Sequence, residues 1–79
     1  MSYYVFTIEQ VKAEEGYSEY AATPKKYADQ QSAEVHFYQR CAEVSNALGK
    51  THTWMDIRIV NSVGTLLKKD QIGQYQESV

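Results

Sequence analysis

The chain has one cysteine in 79 residues, so no disulfide can form within it. A domain this small without bridges is expected in a reducing compartment, and the expected location is the cytoplasm. One proline and four glycines exclude a Pro-rich linker, and no phosphate-cradling glycine loop or dinucleotide fingerprint is present. No apolar run approaches the ~20 residues that cross a bilayer, and the opening MSYYVFTIEQV has no leading basic residues; neither a membrane span nor a signal peptide is expected. Eight basic against ten acidic residues leave a net charge of −2, which disfavours steering toward nucleic acid or anionic lipid. A chain of this size buries only about 60% of its unfolded surface. One domain, residues 1–79, is the ceiling, and a small core of this kind gains from pairing with a second copy.

What the chain does have is aromatic area: seven Tyr, two Phe and one Trp, each burying more surface than an aliphatic residue. From Tyr3, the run YYVFTIEQV has strand composition, with Tyr4, Phe6 and Ile8 on one side and Tyr3, Val5 and Thr7 on the other. The first set is assigned to the core, and the strand is expected to end near Lys12, before a charged turn containing Gly16. The segment Tyr17–Asp29 admits two readings. Thr23 and Pro24 could cap and start a helix, but that helix would set Lys26, Asp29 and Gln30 on or beside its apolar stripe. A short, irregular second strand, with Pro24 at an edge or bulge, is preferred.

Ala33, Phe37, Cys41, Val44 and Leu48 recur at spacings of four, four, three and four, which predicts a helix over about 30–48. Asp29 is its expected N-cap and Gly49 its expected stop. THTWMDIRIV alternates as a third strand with Met55, Ile57 and Ile59 inward. Asn61-Ser62-Val63-Gly64 makes a hairpin loop, and TLLKKD returns as a fourth strand. Residues 72–79 show no period and are read as a flexible or partner-contacting arm. The expected fold is α+β: two layers in the order β-β-α-β-β, a four-stranded, largely antiparallel sheet with one helix on one face.

Both histidines, the cysteine and the tryptophan fall between Val35 and Trp54. At ~100° per residue, His36 and Cys41 point about 140° apart on a helix, so they form neither a metal pair nor a nucleophile pair. Cys41 reads as a small buried hydrophobe, since a reactive thiolate would need exposure and a nearby positive charge. His36 reads as a solvated or edge-of-core residue, and His52 lies where it could fold back toward the helix end. Glu14, Glu15, Glu34 and Glu43 read as solvated. No metal, cofactor or catalytic residue is assigned, and enzymatic activity is disfavoured.

The sheet face away from the helix is expected to carry Tyr3, Val5, Trp54 and Arg58, with Val60 beside them, and this is the candidate interface. Three occupants are open for it: a second copy or other protein partner, the chain's own arm with Tyr75 as cover, and single-stranded nucleic acid. The last would use Tyr3, Trp54, Arg58, Lys68 and Lys69, against which stand Asp56 on the same face and the lack of a basic stripe. Val35, Tyr38 and Ala42 form a second helix surface that either packs at the sheet edge or joins helices across a dimer; edge packing is preferred.

The opening YYVF and the run Y-A-D-x-x-x-A-x-x-x-F-Y-x-x-C-A, Tyr27 to Ala42, followed by a β-hairpin, resemble small uncharacterised proteins encoded by phages and integrative elements of Gram-positive bacteria. That resemblance implies a small cytoplasmic accessory protein. It carries no site residues over to this chain.

Overall fold

The computed structural model describes residues 1–77. The elements run β1 (Tyr3–Lys12), β2 (Tyr17–Ala21), β3 (Lys25–Tyr27), α1 (Gln30–Ala47), β4 (His52–Asn61) and β5 (Leu66–Gly73). All strand pairs are antiparallel, in the order β2-β1-β4-β5, with β3 continuing β2 along the same side of β1. The α+β sheet with one helix is therefore as expected, except that the second strand is split in two.

The split has a local cause. Ala22 donates its N–H to the Thr7 carbonyl at 3.0 Å, after which Pro24, which has no N–H to give, sits in the gap between β2 and β3 on the sheet edge, where proline is tolerated. Asp29 caps α1 from an extended backbone, its Oδ1 accepting from Ser32 N at 2.7 Å. Gly49 follows Leu48, the C-cap, at φ +80°, the left-handed position that stops a helix. Asn61 shapes the β4–β5 turn by accepting from the N–H groups of Val63 and Thr65.

The core is Val5, Ala33, Phe37, Val44, Met55, Ile57 and Ile59, with Tyr3, Tyr27, Cys41, Leu48 and Ile72 packed around it. Register fixes which face of β1 joins it: Val5 lies opposite Ile59, Thr7 opposite Ile57 and Glu9 opposite Met55. Directly opposed residues share a face. The expectation for β1 is thus inverted. Tyr3 and Val5 face the helix, Val5 being only 1% exposed, and they are not part of the outer surface. Tyr4, Phe6 and Ile8 lie on the outer face, opposite Val60, Arg58 and Asp56. The assignment of Met55, Ile57 and Ile59 to the core holds. Among the described residues no helix is long and apolar enough to cross a membrane.

Candidate functional site

A single helix covers one face of the sheet and leaves the other to the rest of the chain. Along β1 and β4 that outer face carries Tyr4, Phe6, Ile8, Val60, Arg58, Asp56 and Trp54, and β5 adds Leu66 opposite Val60 and Lys69 opposite Arg58. Arg58 and Asp56 pair on it, Nε donating to Oδ1 at 2.8 Å, and Gln71 donates to the second carboxylate oxygen. Arg58 first, and Gln71 with it, hold the Asp56 carboxyl below its ordinary range despite partial burial. The polar middle of this face is therefore self-satisfied.

One end of it is covered by the chain itself. After Gly73 the backbone turns back as a strap, with Gln74 N donating to Thr53 O at 3.0 Å. Gln10 anchors it reciprocally: its Nε2 donates to Gln76 O and its Oε1 accepts from Gln76 N, both at 2.8 Å. Tyr75 then meets Trp54 edge-on, the rings 5.1 Å apart at 88°. Of the arm expected over residues 72–79, Ile72 and Gly73 belong to β5, residues 74–77 form the strap, and 78–79 lie outside the described residues. Trp54 is on the outer face as expected but half-buried, and the open part of that face is centred on Tyr4, Phe6, Ile8 and Val60. Tyr3 and Lys68, two residues of the nucleic-acid reading, lie on the helix side instead, with the Lys68 ammonium 5.1 Å from the Tyr38 ring centroid.

The helix side holds an arrangement that sequence reading missed. Glu9 is 2% exposed and its carboxylate is fully engaged. Oε2 accepts from Thr7 Oγ1 at 2.7 Å and Arg40 Nε at 3.1 Å. Oε1 accepts from Tyr20 OH at 2.9 Å, His52 Nε2 at 2.8 Å and Arg40 Nη2. Burial alone would raise the Glu9 carboxyl; the hydrogen bonds from Arg40, Thr7, His52 and Tyr20 outweigh it and bring it to about 2. The carboxylate requires a proton on His52 Nε2, and the other ring nitrogen, Nδ1, lies 3.0 Å from Thr51 Oγ1. A carboxylate saturated in this way is a structural anchor, with no lone pair free for general-base work. Arg40 was a usable signal: it stands three residues after Phe37 and four before Val44, beside the apolar stripe, from where its side chain reaches the sheet.

The other reactive residue types fall apart in space. Cys41 packs beside the core, and burial together with the nearby Asp70 charge pushes its thiol up, away from reactivity. His36 bonds through Nδ1 to the Tyr27 hydroxyl at 2.9 Å. Among the described residues no three His, Cys, Asp or Glu side chains gather to hold a metal. Val35 and Tyr38 stay 51% and 55% exposed; Tyr38 meets the edge strand β5 only at its rim, where its ring lies 5.1 Å from the Lys68 ammonium. Comparison with family models, with curated proteins and with solved structures yields no match for this chain.

Proposed function

We propose that the chain is a small, non-enzymatic interaction module, and that the open part of its outer sheet face meets a protein surface, a second copy of itself first of all. One observation carries the reading: on β1 the more apolar face, Tyr4, Phe6 and Ile8, is turned away from the helix and lies beside Val60 and Leu66. Contiguous apolar side chains on an open sheet mark a contact surface. The internally paired Arg58 and Asp56 suit a self-complementary interface, since neither charge needs a partner from the other side when water is removed. The resemblance of YYVF and the Tyr27–Ala42 run to phage and mobile-element proteins agrees with an accessory role of this kind in the cytoplasm.

Sedimentation velocity over a range of concentrations tests this. Wild type is expected to self-associate, and Phe6→Glu is expected to be monomeric with its fold retained, because the new carboxylate would face Arg58 across the strand pair. A wild type that stays monomeric at its highest soluble concentration removes the self-association reading.

A further inference from the structure

Where β2 gives way to β3, a cleft of about 210 Å³ opens between the helix and the sheet edge. Its walls include Val5, Thr7, Ala22, Lys25, His36 and Arg40. Lys25 is registered opposite Val5, so it rises on the helix side, and among the described residues it has no carboxylate partner. Tyr27 occupies His36 Nδ1 and leaves Nε2 as the free ring nitrogen. Arg40 gives Nε and Nη2 to Glu9, while Nη1 lies 3.5 Å from the exposed Glu43.

Glu9 is saturated by its own donors and Glu43 lies against Arg40, which leaves Lys25 as the cationic group of this cleft without a carboxylate partner, beside mostly apolar walls. We propose that the cleft binds a small organic monocarboxylate, its carboxylate at Lys25 and His36 and its apolar body against Val5 and Ala22. The volume, below the ~300–1,000 Å³ of drug-sized pockets, suits a fragment. One unpaired ammonium matches one carboxylate better than a doubly charged phosphate. Burial first, then Lys25 and Arg40, lower the His36 pKa, with Glu43 opposing.

Sodium benzoate, titrated into the full chain at constant ionic strength and followed by NMR, tests the site. Sodium chloride is the reference, inorganic phosphate a second probe and Lys25→Gln the variant. Saturable shifts are expected at the His36 ring and at the amides of Ala22, Thr23 and Lys25. The His36 pKa should rise when benzoate binds, since a nearby negative charge favours imidazolium. Lys25 is exposed and outside the Glu9 network, so Lys25→Gln should fold normally and bind benzoate about fivefold more weakly, the value of one near-surface charge contact. Benzoate shifts that never saturate, or that match those from chloride, overturn the proposal. So does equal binding by Lys25→Gln, and phosphate binding tighter than benzoate overturns the monocarboxylate assignment.

Discussion

Tyr4, Phe6 and Ile8 on one face of β1 offer more apolar area than Val5, Thr7 and Glu9 on the other, yet the second set lies beneath the helix and the first faces outward. By composition the assignment should be reversed. What decides it is the neighbouring strand: Met55, Ile57 and Ile59 form an unbroken apolar row on β4, and whichever face of β1 is level with that row is buried with it. The acid that comes along is tolerated because Arg40 from the helix and His52 from the start of β4 converge on it. The burial of a strand face is thus set by what opposes it as much as by its own residues.

The inner side of this comparison breaks most severely at Arg40. Arg40→Met strands the Glu9 charge in a buried site and should cost about 3–5 kcal/mol in urea-induced unfolding, whereas Glu9→Leu combined with Arg40→Met should recover most of that loss. A double variant as unstable as the single one would show that the pair holds the fold by more than mutual neutralisation.

Acid probes the same carboxylate without mutation. The Glu9 pKa is lowered in the folded protein from its ordinary 4.5 to about 2. Its stabilising effect is therefore complete above about pH 4.5 and is lost as the pH falls toward 2. The expected loss is about 3 kcal/mol by linkage, readable from unfolding midpoints across that interval and absent in the Glu9→Leu/Arg40→Met protein. Thr7→Val removes a single donor to Glu9 Oε2 and should cost about 1–2 kcal/mol. On the outer face, Phe6→Glu should change monomer stability by no more than about 0.5 kcal/mol, and a large loss there would mean that Phe6 belongs to the monomer's own packing.

The helix, its Asp29 cap, its Gly49 stop and the Asn61–Gly64 hairpin were legible in the sequence because each is written in local chemistry. For Pro24 an edge position or a bulge was legible, and the structure has the edge. The facing of β1 was not, because Tyr3, Tyr4, Val5, Phe6 and Ile8 make both faces look buried, and the deciding residues lie more than 40 positions away on β4. For the same reason Glu9 passed unnoticed: its partners come from β1, β2, α1 and β4, and no spacing rule links them. The strap was foreseen only as a possible cover for Trp54, since its anchoring by Gln10 depends on a buried amide that composition does not announce.

Gly73 gives the strap one more property. At φ +78°, a Cβ there would fall on the Thr53 carbonyl oxygen and against Leu48, so the chain leaves β5 by a route open only to glycine. Tyr75 follows two residues later and remains tethered close to Trp54 even when the rings part. In terms of competition, it acts as a built-in ligand whose effective concentration over Trp54 is on the order of millimolar or higher. Any partner reaching for the indole must outcompete that local supply, while Phe6 and Ile8 have no such rival. A contact with this face is therefore expected to be displaced from the tryptophan toward the opposite end of β1.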